Sequence, residues 1–345
     1  MTSYQQQLFG DQTFLEFTLD SQATVDKKRL LLPNNVSVEV WDKGVLYFHA
    51  EDGASADSIL LSVGVHGNET APIEIIDDLI RDILSGKISL AHNLLVVIAN
   101  PEAINARSRE LDENMNRLFI NGAHHKHGDS VERHRSILLM NYSRNFFSRH
   151  AKQKFHYDLH ATIRDSAFAK FAISPNVALS SIVEAQGHLL GLWGIEAILT
   201  TDKNSATYSS FTAQHCGAVS FTLELGKARP FGENDLKKMS SVAVGLRKMI
   251  SGNLQAPPEA EAPILFRVVT EVIKRSKEFR LCFPSSTANF TEFAVGDLLA
   301  VDNDYQYRVT NDGERILFPN EAATVGQRAL VIIRPSNVAK TRWHD

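Results

Sequence analysis

From Ser58 to Val65 the chain reads SILLSVGV, an apolar run without the polar alternation of a strand that meets water on one face. A strand covered on both sides needs helices to cover it, and Thr70 to Leu84 supplies one. Its apolar residues Ile73, Ile76, Leu79, Ile80 and Ile83 recur at helical spacing. The alternation continues. Asn93 to Ala99 reads as a second buried strand, 130–150 as a helix, and Phe155 to Leu159 and Ala167 to Ile173 as strands. A helix near 176–191, strands at 196–200 and 218–224, and a helix at 233–251 follow. Ahead of them, Val36 to Trp41 and Val45 to His49 alternate like antiparallel strands. Strands interleaved with helices predict an α/β fold, a mixed central sheet flanked by helices.

Residues 253–263, NLQAPPEAEAP, are rich in Pro, Ala and Glu and read as a linker. Beyond it, short alternating runs punctuated by VGD, DND and NDG predict a small C-terminal all-β domain over 264–345, against a large domain over 1–252. The net charge of −4 and the lack of a basic face argue against nucleic acid as a partner. The longest apolar runs, such as Leu94 to Ala99, are strand-sized, so no membrane span is expected. The opening MTSYQQQLFGDQTFLEF has neither the cationic start nor the apolar core of a signal peptide. Cys216 and Cys282 sit in no metal-like spacing and read as reduced thiols. A cytoplasmic setting is expected.

His66-Gly-Asn-Glu69 follows the buried strand and precedes the helix, where open α/β sheets gather ligands. An imidazole and a carboxylate three residues apart at such a turn can meet one cation, and Gly67 lets the backbone bend between them. Roughly one HxxE is expected by chance in a chain with 13 histidines, so position carries the signal. The competing explanation is a buried histidine and a glutamate in a helix's first turn. His160, at the end of the strand Phe155 to Leu159, would complete the His₂Glu set common at catalytic zinc. Alone it reads more readily as a structural histidine, and Asp158 beside it has no assigned partner. Glu224 lies inside an apolar strand, AVSFTLEL, where a carboxylate is costly unless it is paired or faces a polar cleft. It would take a proton from metal-activated water, or else pair with Arg229. Three arginines in the eleven residues 107–117, without helical i,i+4 acids, suggest recognition of carboxylates, or else a solvated loop. Arg164 and Asp165 would contact substrate or form a rim ion pair. The tract His124, His125 and His127 reads as an exposed loop.

With these residues assembled, the chain resembles the succinylglutamate desuccinylase and aspartoacylase family of zinc carboxypeptidase-like hydrolases over nearly its whole length. GVHGNETAPIEI is similar to the first metal motif and NPEA…R…DENMNRLF to the carboxylate-binding segment. DLHATIR is similar to the third-ligand motif and TLELGKARPFGEND to the catalytic glutamate strand. Their order fits too, with 91 positions from Glu69 to His160 and 64 more to Glu224. DLHATIR, MNRLF and the FPN tripeptide at 318–320 look closer to the desuccinylase branch. One departure stands out. Aspartoacylase has a tyrosine shortly before its FVNEAA-like segment, and the corresponding stretch Glu314 to Asn320 has Arg315 instead, leaving that role unassigned.

The resemblance implies a zinc hydrolase domain at 1–252, with one Zn2+ per subunit on His66, Glu69 and His160, and Glu224 activating water. It implies that Asn116 and Arg117 hold the amino-acid carboxylate, while Arg109 polarises the scissile carbonyl or holds a carboxylate. The expected substrate is N2-succinyl-L-glutamate, cleaved to succinate and L-glutamate at the end of a succinylated arginine-degradation route. The alternatives are deacylation of another dicarboxylate-type N-acyl amino acid, a carboxypeptidase, or a zinc- or carboxylate-binding protein without catalysis. A homo-oligomer is compatible with the sequence.

Overall fold

The computed structural model describes residues 3–33, 35–51, 56–120, 129–149, 152–175, 181–201, 205–253 and 262–336. It opens with helices α1 (Ser3–Phe9) and α2 (Phe14–Leu19) and strands β1 (Arg29–Leu32), β2 (Val36–Asp42), β3 (Val45–Ala50) and β4 (Ser58–Val63). Next come α3 (Thr70–Leu84), β5 (Asn93–Ile98), α4 (Pro101–Asn105), α5 (Val131–Ser148), β6 (Lys154–Thr162), β7 (Phe171–Ser174) and α6 (Ser181–Leu192). Then follow β8 (Ala197–Thr200), α7 (Tyr208–Cys216), β9 (Val219–Lys227) and α8 (Ser240–Ile250). The last strands are β10 (Ile264–Ile273), β11 (Arg280–Leu281), β12 (Leu298–Asp302), β13 (Tyr305–Arg308), β14 (Arg315–Leu317) and β15 (Arg328–Pro335).

A twelve-stranded sheet in the order β1-β2-β3-β5-β4-β6-β9-β7-β8-β10-β15-β14 organises the described residues. Its centre, β5-β4-β6-β9, is parallel, β7 runs antiparallel to β9, and the sheet is therefore mixed. The apolar run at 58–65 is the buried strand β4, with α3 as its cover. On β6, alternation sorts the side chains: Phe155, Tyr157 and Leu159 enter the larger apolar core with α3 and α8. His156, Asp158 and His160 face the other side, under α5 and α7. There Leu60, Leu139, Phe146, Tyr208 and Phe211 form a second core.

From Ile264 to Pro335 the described elements are all strands. β11, β12 and β13 form a small sheet of their own, while β10 pairs in parallel with β8 and carries β15 and β14 onto the large sheet. Of the linker segment, 254–261 lies outside the described residues, as does the histidine tract. Several elements depart from expectation. β7 begins at Phe171, because the stretch before it turns to bond Asn289. The helix expected from 233 starts as a 3-10 turn, Leu236–Met239, before α8. Helices α1, α2 and α7 were not anticipated.

Candidate metal centre

Gly64, at φ +66°, turns the chain out of β4 toward His66. Gly67 has a different role from the bend expected of it: a Cβ there would lie 2.3 Å from the Ala103 backbone, so only glycine lets α4 approach. The Gly67 N–H donates to the Arg109 carbonyl at 3.1 Å, tying this turn to the arginine loop. Glu69 stands at the N-cap of α3 yet makes no capping hydrogen bond. Its carboxylate turns instead into the site, and the satisfied-helix explanation for Glu69 fails.

There it meets both histidines. Glu69 Oε1 lies 2.9 Å from His66 Nδ1, and Oε2 lies 2.9 Å from His160 Nδ1. Ala161 N–H donates to Oε2 at 3.0 Å. The three side chains are buried and offer one donor atom each within 4.8 Å of one another. The far nitrogens are also occupied: His160 Nε2 meets Asp158 Oδ2 at 2.9 Å, and His66 Nε2 meets Asn114 Oδ1 at 3.1 Å. At His160 the Asp158 carboxylate favours a proton on Nε2 and turns Nδ1 into the cluster, whereas His66 Nε2 lies between Asn114 Oδ1 and the Arg109 guanidinium, 3.0 Å away. Asp158 thus has the partner that could not be assigned from sequence, His160 itself.

His66 Nδ1 is buried and, despite its closeness to Glu69, makes no hydrogen bond among the described residues. A buried imidazole nitrogen without a hydrogen-bond partner, beside a carboxylate and a second imidazole, is a donor set that fits a divalent ion such as zinc. The electrostatics agree. Burial holds His66 below the ordinary histidine range. Burial works against charge on His160 too, but Asp158 and Glu69 hold it well above that range. For Glu69 burial pushes upward, and the two histidines hold it well below the carboxylate range.

Glu224 sits on β9 directly opposite His160 in parallel register. It is 9 % exposed, and its Oε2 finds no hydrogen-bond partner among the described residues. No ion pair with Arg229 is found among them; the Arg229 carbonyl instead accepts from Thr70 Oγ1 at 2.6 Å. Burial raises the Glu224 carboxyl to about 7, against the pull of His160. A group poised there can exchange a proton at neutral pH.

Arg109 reaches the same cluster, its Nη1 donating to Glu69 Oε1 at 2.7 Å and its Nη2 lying 3.0 Å from His66 Nε2. The loop carrying it is held from α5. Buried Glu132 accepts the N–H groups of Leu111 at 2.6 Å and Asp112 at 3.3 Å, and Arg133 grips Glu113. Asn116 is buried, and its Oδ1 accepts from the Tyr208 N–H that opens α7, leaving its amide nitrogen to offer donors. Arg117 keeps an exposed edge. Lost hydration around the rest of it, then the nearby charges of Arg328 and Arg109, push its guanidinium down to about 10.

Arg164 donates to carbonyls of the C-terminal β region: Ser285, Thr287 at 3.4 Å and Pro319 at 3.1 Å. Arg315 pairs with Glu292 at 2.7 Å, and its guanidinium stands over the Phe266 ring, a structural placement. Asn114, Glu132 and Ser62, which donates to Asp158, were missed. Asp158 was legible in the spacing of HYDLH, where three polar residues share one face of a buried strand.

Residues 55–250 match the succinylglutamate desuccinylase/aspartoacylase catalytic domain, and 261–336 match the AstE/AspA barrel-sandwich hybrid domain. A succinylglutamate desuccinylase of Chromobacterium violaceum is 41% identical over 330 residues, 94% of this chain and 98% of that protein. One from Idiomarina loihiensis is 39% identical, over 94% and 96%. A solved succinylglutamate desuccinylase structure from Vibrio parahaemolyticus superposes with a TM-score of 0.89 at 32% identity, covering 95% of this chain and 96% of that one.

Proposed function

The chain belongs to the succinylglutamate desuccinylase/aspartoacylase family, and from that premise we propose that it hydrolyses N2-succinyl-L-glutamate to succinate and L-glutamate, with one Zn2+ per subunit held by His66, Glu69 and His160. The observation that carries this reading is the buried His-Glu-His cluster with Glu224 across the strand pair from His160, its Oε2 without a hydrogen-bond partner among the described residues.

A bound divalent ion would supply Lewis acidity toward a carbonyl and toward water. The remaining chemistry belongs to this chain. Glu224, near neutrality in its pKa, takes a proton from the attacking water and returns it to the amide nitrogen as the C–N bond breaks. Arg109, already at the cluster's edge, stabilises negative charge on the carbonyl oxygen or holds a carboxylate. Asn116 and Arg117 hold the glutamate carboxylate, and a substrate with three carboxylates suits this density of guanidinium groups. Arg164 is left out of the substrate set, because both of its Nη groups donate to backbone carbonyls. The two domains divide near 253–263, and the reaction closes succinylated arginine degradation in the cytoplasm.

The purified chain should contain one equivalent of zinc and cleave succinylglutamate at least tenfold faster, in kcat/KM, than N-acetylaspartate or a short peptide. Glu224→Gln should keep the zinc and lose turnover by 10²-fold or more, in line with removal of a general base. A metal-replete variant with undiminished turnover would refute the assignment of Glu224.

A further inference from the structure

Behind Asp158 a chain of buried polar groups continues through the second core. Asp158 Oδ1 lies 2.5 Å from Ser62 Oγ, which lies 2.8 Å from His156 Nε2. His156 Nδ1 lies 2.7 Å from Thr212 Oγ1, itself 2.9 Å from Ser220 Oγ. Ser62, His156, Asp158 and Thr212 are fully enclosed, Ser220 nearly so, on the face of β4, β6 and β9 opposite the larger core.

We propose that Ser62, His156 and Thr212 are positioning residues, a one-way hydrogen-bond chain that keeps both oxygens of Asp158 accepting and so holds His160 with Nδ1 toward the cation. The direction follows from counting protons. A carboxylate only accepts, so the single Ser62 proton goes to Asp158, and Ser62 must then accept from His156. The proton of His156 is therefore on Nε2, which leaves Nδ1 to accept from Thr212, whose hydroxyl also lies 3.0 Å from the Ser209 carbonyl and 2.9 Å from Ser220 Oγ. Burial holds His156 down at about 4, in keeping with one ring proton at neutral pH. Moving that proton to Nδ1 would set the Nε2 lone pair against the Ser62 oxygen in a site closed to solvent. Asp158 anchored on one side presents its other oxygen to His160 Nε2–H, the arrangement that orients a ligating imidazole.

The consequence for metal binding rests on the zinc reading above, whereas the proton order does not, and two measurements separate them. In the wild-type chain, ¹⁵N shifts of labelled histidines should show His156 protonated on Nε2 alone. A proton on Nδ1 overturns the chain's direction whether or not zinc binds. In chelator competition, Ser62→Ala should weaken zinc binding about tenfold, the lower end for partners outside the ligand shell. Ser58→Ala is the control: it sits on the same strand, fully buried, with a hydroxyl that has no hydrogen-bond partner among the described residues. It should leave zinc affinity within twofold. Ser62→Ala matching that control overturns the proposal, while a wild-type chain that takes up no zinc defeats the metal reading instead. Should Ser62→Ala not fold, Thr212→Val and the histidine spectrum provide the same test.

Discussion

Glu224 is held in its protonated form further up the pH scale than a solvated glutamate, and that has a cost the metal-free protein reveals. Its folded pKa, about 7, lies above the ordinary 4.5, so its contribution to stability is complete below about 4.5 and is lost as pH rises through about 7. Glu224→Gln removes the charge and with it the loss. Metal-free Glu224→Gln should match the wild type in urea unfolding at pH 4 and exceed it at pH 8, by at most about 3 kcal/mol. Equal stability at both pH values would show that the carboxylate is solvated. Such a cost is common where a group is kept for its chemistry rather than its fit.

At the scale of elements, the arginine loop depends on the first turn of α5. Glu132 is enclosed, and its carboxylate accepts two loop N–H groups. Glu132→Ala should cost about 1–3 kcal/mol in unfolding free energy and lower kcat/KM while zinc stays bound. Undisturbed kinetics would mean that the loop holds Arg109 without it. Much of this level could be read in the chain: β4, α3, β5 and the strands bearing His160 and Glu224 announced themselves by apolar run and period. α7 did not. Its sequence YSSFTAQHC is buried on nearly every side, so it has no polar stripe for a helical period to show. Helices α1 and α2 are too short for one. HxxE marked its junction, but the reason for Gly67 was out of reach, since the backbone it admits lies 36 residues onward at Ala103. Hydrogen-bond partners such as Asn114 and Glu132 escape a linear reading for the same reason.

In the whole molecule, the loop that follows His160 is sewn to the C-terminal β region. Arg164 donates to the carbonyls of Thr287 and Pro319, and the backbone of Asp165 and Ala167 pairs with Asn289. Arg164→Ala should therefore lower the unfolding free energy by about 1–3 kcal/mol and speed proteolysis within 262–336, leaving KM within twofold. A tenfold rise in KM at unchanged stability would return Arg164 to the substrate. The same region also covers an edge. β10 lies in register along β8, whose outer backbone groups would otherwise face solvent. A ribosome that stopped before Ile264 would release a fragment with that rim bare, and prematurely terminated chains are expected to pellet rather than persist as soluble, merely inactive, remnants.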